Sequence, residues 1–292
     1  MITLVLDEER LRASEESLES EFLTIAGLLE KWRKEGVAVK KRSSIWVANV
    51  NGEQALFNIL FENGRLDRDI AGQLLREIDA LPDWDLLEGE LRTSFEFVCE
   101  EVARQRATGC AVLPQFDGVM DVDGHRVYLV GSSAQAIAFY RDAANLGNFS
   151  EAQFLSNAIK AFPELYLHPK LEPQLSRFSR AFGPDLRSVL TSALSSLNDH
   201  LPSLLAEGRS SHELARAFQA LSGFEISPES PNTHRNRAAM AERDVLFDKI
   251  KVRCEWHLKL EPHRDRIHFF FGQHKVSQRP ILVGIFCEHL ST

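Results

Sequence analysis

Between positions 18 and 32 the apolar residues Leu18, Phe22, Ile25, Leu28, Leu29 and Trp32 recur every three or four residues, with glutamates between them. That spacing lines one side of an α-helix and leaves the carboxylates in water. Gly36 stands where the C-cap of that helix would fall. The apolar run 2–6 reads as a strand before it, and 45–50 as a strand after it, closed by the turn signal Asn51-Gly52. Helical spacing returns over 53–62, 67–80 and 94–106. Pro82-Asp83-Trp84-Asp85 predicts a turn whose tryptophan packs back on the helices.

From Gly109 the pattern changes. Strands are expected over 110–113, 118–121 and 125–129, the last two joined through Asp123-Gly124, a hairpin signal. A helix then opens at Gly131-Ser132-Ser133, and periodic apolar positions predict helices over 150–161, 172–182, 184–197 and 212–221. Ser227 to Thr233, rich in Pro, Ser and Asn, reads as a linker, with a short helix over 232–242 after it.

The tail alternates strictly. Over 249–260, Ile250, Val252, Cys254, Trp256, Leu258 and Leu260 share one face, and Lys251, Arg253, Glu255, His257 and Lys259 share the other. One dry and one wet face predict an antiparallel sheet covered on a single side. After a turn at Glu261-Pro262-His263, the next strand places Arg264, Arg266 and His268 opposite Ile267, Phe269 and Phe271. A third strand, 281–289, is apolar until Glu288 and His289. The three strands would gather Glu255, His257, Lys259, Arg266 and His268 on one exposed face, with His289 at its end. The fold class predicted is α+β. Its parts are a mixed, mainly helical region over 1–109, a β-hairpin and helical region over 110–226, and a C-terminal antiparallel sheet over 227–292.

Composition sets the outer limits. The chain has 292 residues, 44% hydrophobic and 26% charged, which is ordinary for a globular protein and excludes wholesale disorder or a collagen-like repeat. No apolar stretch reaches the roughly 18–20 residues of a membrane span, and MITLVLDEER lacks the basic start of a secretory signal. A cytoplasmic protein with no membrane partner is expected. Cys99, Cys110, Cys254 and Cys287 form no C-x-x-C pair, so they read as reduced thiols with no structural zinc and no cofactor.

The net charge of −8 is uneven. Residues 1–110 hold 14 Lys+Arg against 22 Asp+Glu, whereas 231–292 hold 11 against 7 together with six of the ten histidines. The cluster Lys40-Lys41-Arg42 reads as a solvated loop. The basic end therefore becomes the candidate working surface.

Metal-free RNA cleavage needs a base for the 2′-hydroxyl, cations for the phosphorane and an acid for the leaving oxygen. Glu255 or His257 fits the base, Lys259 and Arg266 the cations, and His268 or His289 the acid. Lys251, Arg253 and Arg264 would hold nucleic acid, RNA rather than DNA. A second reading is a non-catalytic subunit docking a protein or nucleic acid through the same sheet. A third is a metal-dependent nuclease with Glu255, His257, His268 and His289 converging as ligands.

The last sixty residues resemble the small ribonuclease toxins of the RelE and YoeB kind. The resemblance rests on the run Trp256-His257-Leu258-Lys259-Leu260, on Arg264-Asp265-Arg266-Ile267-His268-Phe269, and on the ending Cys287-Glu288-His289-Leu290. It implies two helices before an antiparallel sheet, with His289 as acid and Lys259 or Arg266 as phosphate cation. Leu290 stands where that family has a tyrosine. The long helical body with such a tail suggests a prokaryotic toxin-like or anti-phage defence component.

Overall fold

The structure, a computed structural model, describes residues 2–8, 11, 16–51, 54–62, 66–84, 102, 108–146, 149–261, 264–272 and 275–292. They divide into two compact units, Met1–Gly147 and Asn148–Thr292. The expected α+β class stands, but the expected boundaries do not. A cut after 109 would split a strand at the centre of one sheet, and a cut after 226 a strand at the edge of the other.

The first unit runs β1 (Thr3–Leu6), α1 (Leu18–Lys34), β2 (Val39–Lys40), β3 (Asn49–Asn51), β4 (Gln54–Ala55), α2 (Leu56–Phe61) and α3 (Arg68–Asp79). It continues with β5 (Thr108–Ala111), β6 (Gly118–Val122), β7 (His125–Val130) and α4 (Ser133–Leu146). The main sheet has the order β2-β1-β5-β7-β6, parallel except for β6. Leu4, Val5, Leu6, Cys110 and Ala111 are all buried, as strands covered on both faces require. Asp123 and Gly124 take positive φ at the β6–β7 turn, the conformation their dipeptide signals. Trp84 packs on this sheet, in one cluster with Val5, Cys110, Val112, Val127 and Leu129. A Cβ at Gly131 would lie 2.8 Å from the Leu113 carbonyl oxygen, so only glycine lets the ends of β5 and β7 approach.

Two expectations for this unit are corrected. Residues 45–50 are not one strand: a 3-10 turn, Ser43–Val47, leads into β3. Lys41 and Arg42 are buried, not solvated. Lys41 Nζ is 3.3 Å from Asp83 and donates to the Leu81 carbonyl, while Arg42 lies 3.8 Å from Glu8. The helix expected over 94–106 lies outside the described residues apart from the buried Val102, as do Cys99, Gly52 and the Pro262-His263 turn.

The second unit contains α5 (Glu151–Ala161), β8 (Leu165–Leu167), α6 (Pro184–Ala206), α7 (Ser211–Ser222), β9 (Glu225–Pro228), α8 (Pro231–Arg235) and α9 (Arg237–Ala241). It ends with β10 (Asp244–Phe247), β11 (Ile250–Arg253), β12 (Trp256–Glu261), β13 (Arg264–Phe271) and β14 (Ile281–Cys287). Capping boxes at Ser150/Gln153 and Ser210/Glu213 start α5 and α7, satisfying backbone donors that each helix leaves unpaired. The supposed linker is structured: it holds the end of β9, the N-cap Ser230 and the fully buried Thr233. Residues 172–182 hold only a six-residue 3-10 segment, Glu172–Arg177.

The sheet order is β8-β14-β13-β12-β9, antiparallel apart from β8 against β14. The strand expected over 249–260 is two strands. β11 pairs with β10, and β12 joins the larger sheet. The chain bends between them because Cys254 N–H donates to the Arg243 carbonyl and Glu255 N–H to the Arg253 carbonyl. Both faces of the sheet are covered, contrary to the pattern's promise of one wet face. On one face Ile226, Leu258, Ile267 and Phe286 are buried, with the Phe178 ring 5.4 Å from that of Phe286, and α6 packs against β12. On the other, Phe247, Val252 and Cys254 cover Leu282, Ile285 and Cys287. Trp256 is only half-buried, its ring 5.1 Å from Phe271, and Glu255 is half-buried where exposure was expected.

Asp244 fastens the β10–β11 hairpin, lying 2.7 Å from both Lys251 and Arg253. Their hydrogen bonds and charge hold its carboxyl at about 2. A carboxyl depressed in the folded state stabilises above its unfolded value and loses that effect as pH falls through the folded one. Asp244→Asn should therefore melt below the parent at neutral pH, the gap closing as pH falls from about 4 to about 2. A gap that persists unchanged at the acid end would rule out the ion pairs as its source.

Burial pushes the Cys254 and Cys287 thiols up to about 12. Thiolate is the reactive form, so mapping alkylated peptides should find both cysteines unmodified until denaturant is added. Rapid native labelling of either would contradict their burial.

Candidate functional site

The register of the C-terminal sheet assembles the site. Ser227, His257 and His268 face one another across β9, β12 and β13, and Lys259 stands opposite Arg266 two positions along. Glu229, just past β9, continues the edge: its N–H donates to the Glu255 carbonyl at 2.9 Å. With alternate residues on one face, Ser227 and Glu229 flank His257 from the neighbouring strand. Arg243, after α9, enters the same space.

These groups are buried together. Arg243 and His268 are fully buried, and His257 and Glu229 nearly so. Arg243 Nε is 2.8 Å from Glu229 Oε1, while Nδ1 of His257 and of His268 lie 3.6 and 3.7 Å from the same oxygen. The imidazole centroids are 5.3 Å apart, and Ser227 Oγ is 3.1 Å from His257 Nε2. Burial alone would raise the Glu229 carboxyl, but His257 and Arg243 outweigh it and bring it to about 2. Burial, with His257, Arg243 and Arg266 nearby, pushes His268 down to about 3 despite Glu229. An ionised carboxylate therefore sits beside a neutral His268.

Hydrogen bonding is incomplete. Glu229 Oε1, Arg243 Nε and Nη2, His257 Nδ1, both ring nitrogens of His268 and Arg266 Nε are buried with no aligned hydrogen-bond partner. Each such group costs about 1–3 kcal/mol when left unpaired. Glu229 Oε1 and Arg243 Nε answer one another as an ion pair at 2.8 Å, which leaves His257 Nδ1, both His268 nitrogens, Arg243 Nη2 and Arg266 Nε as the groups without a counterpart.

Toward solvent the same face opens into a cleft of about 380 Å³ lined by Gln219, Gly223, Glu225, Lys259 and Arg266, among others. Lys259 is paired there with Glu225, and Glu261 with Arg180. Arg266 Nε has no acceptor.

The expected site is thus partly assembled. His257, Lys259, Arg266 and His268 do share a face, but the two histidines are buried inside the fold rather than exposed. Among the described residues, no hydrogen bond or ion pair joins Glu255 or His289 to them. His289 is exposed beyond β14, its Nδ1 2.5 Å from the Leu290 carbonyl oxygen. Lys251 and Arg253 are exposed but clasped by Asp244, and Arg264 is exposed at the start of β13. Glu229 and Arg243 were missed. The one sequence signal was the alternation of Glu225, Ser227 and Glu229 around Ile226, hidden in a stretch that reads as linker.

Comparison with protein-family models, with curated proteins and with solved structures gives no match. Among the described residues no helix is long and apolar enough to cross a membrane.

Proposed function

We propose that the C-terminal unit binds single-stranded RNA, gripping a backbone phosphate in the cleft beside Lys259 and Arg266. The observation that carries this reading is Arg266, a half-buried cation that lines the cleft with no carboxylate partner among the described residues, while Lys251, Arg253 and Lys259 are already paired with carboxylates. A guanidinium held this way matches a phosphate oxygen. Exposed Arg264 extends the basic surface along β13.

Binding without cleavage is the form the geometry favours. A general acid or base must come within hydrogen-bond reach of the atom it serves, and His257 and His268 are buried while His289 lies apart. Membership of a toxin-like or defence system extends the same reading and is carried by the C-terminal resemblance.

Titrating labelled single-stranded RNA at several salt concentrations tests it. Affinity should fall as salt rises, with a log–log slope of about −0.7 for each phosphate neutralised. Arg266→Ala should make that slope shallower by about one such increment, and Lys259→Ala by a similar amount. No RNA binding at low salt, or slopes unchanged in both variants, would reject the proposal and leave docking of a protein to this sheet. RNA shortened by the parent chain would show that cleavage occurs after all.

A further inference from the structure

We propose that Glu229, His257 and His268 are the ligands of a divalent transition-metal ion, zinc being the type case, which ties β9, β12 and β13 together inside the second unit. The ligand atoms, one from each residue, lie within 4.8 Å of one another, and the two imidazole nitrogens stand 3.6 and 3.7 Å from Glu229 Oε1. A tetrahedral ion with bonds of about 2.0–2.2 Å separates its ligand atoms by about 3.3–3.5 Å. The two imidazole–carboxylate spacings exceed that by a few tenths of an ångström, and the imidazole pair, within 4.8 Å, closes on the ion by rotation of the rings with no strand moving register.

A second observation is independent of that spacing. The three atoms facing the common point, Glu229 Oε1, His257 Nδ1 and His268 Nδ1, are each buried without a hydrogen-bond partner. Two imidazole nitrogens converging on a carboxylate oxygen are the arrangement that a cation satisfies, with Arg243 Nε, 2.8 Å from that oxygen, supplying part of the positive charge there. The surroundings agree. Ser227 Oγ, 3.1 Å from His257 Nε2, can accept that nitrogen's N–H and so leave Nδ1 with its lone pair toward the ion. Imidazoles with one carboxylate suit zinc and its first-row neighbours rather than magnesium or calcium. Three protein ligands leave a fourth position for water. Arg243, 2.8 Å from the same carboxylate oxygen, adds an opposing positive charge.

This inference is independent of RNA binding, and one set of proteins separates the two. The full chain would be stripped with chelator, desalted and titrated with zinc, then with cobalt(II) as a spectroscopic probe. Expected are one equivalent bound, the visible absorption of four-coordinate cobalt, and a higher thermal midpoint with metal. His257→Gln should lose stoichiometric binding, Ser227→Ala should weaken it by about 10–100-fold, and His289→Ala should bind as the parent does. If the folded parent takes up far less than one equivalent and its midpoint ignores metal and chelator, the proposal is overturned. It is overturned equally if His257→Gln binds as well as the parent, because the ion then sits elsewhere. RNA affinity that survives in His257→Gln would leave the cleft reading standing whatever the metal result.

Discussion

Glu229→Ala should cost about 3–5 kcal/mol of stability, measured with chelator present, because it strands the Arg243 guanidinium in a site with no solvent. The reason is asymmetry. An exposed ion pair breaks into two hydrated charges, whereas Arg243 is fully buried and water cannot replace its carboxylate. Its Nη1 keeps the Ala239 carbonyl, but Nε faces the space the carboxylate leaves. Removing both charges should be far milder: in Glu229→Leu/Arg243→Met the apolar pair fills the volume and no charge is left bare. Denaturant titration of the two single variants and the double closes the cycle. If Glu229→Ala loses no more than a surface change, about 0.5 kcal/mol, the pair is not buried as described.

Gly284→Ala, a change of a single methyl group, should cost about 1–3 kcal/mol. Between the pairs His268–Ile285 and Phe269–Val283 the register shifts, so Gly284 is the extra residue of a bulge in β14. A Cβ there would lie 2.6 Å from Cys254 Sγ and 3.0 Å from Val245 Cγ2, atoms of the hairpin region that covers this face. Either the hairpin lifts or β14 moves. Cys254→Ala in the same chain removes the nearer obstacle, so the double variant should recover most of the loss. Additive losses, within about 0.5 kcal/mol, would show that the contact is not the cause.

Local pattern carried most of the elements and little of their assembly. The spacing from Leu18 to Trp32 predicts α1, and Gly36, one residue past the C-cap Glu35, ends it with φ of 70°. The strands β1, β6, β7, β13 and β14 and the helices α5, α6 and α7 are likewise near their expected places. The α+β class was legible for the same reason: periods of two and of 3.6 are properties of a few neighbouring residues. Alternation also put His257 with Lys259, and Arg266 with His268, on common faces, and the antiparallel register joined them.

What alternation along one strand does not encode is what lies above each face. The wet face of 249–260 carries Lys251, Arg253, Glu255, His257 and Lys259, and its polarity alone assigns it to solvent. Tertiary structure decided otherwise. The chain bends at Cys254, the β10–β11 hairpin covers part of the sheet, and Arg243 and Glu229 arrive from segments 14 or more residues away in sequence from His257. Opposite charge and imidazole make polar residues tolerable in the interior only once these distant partners meet. A sequence read locally therefore names the histidines but not their burial, and it names Glu255 in place of Glu229. Which residues can be polar and buried at once is settled by who their neighbours are in space.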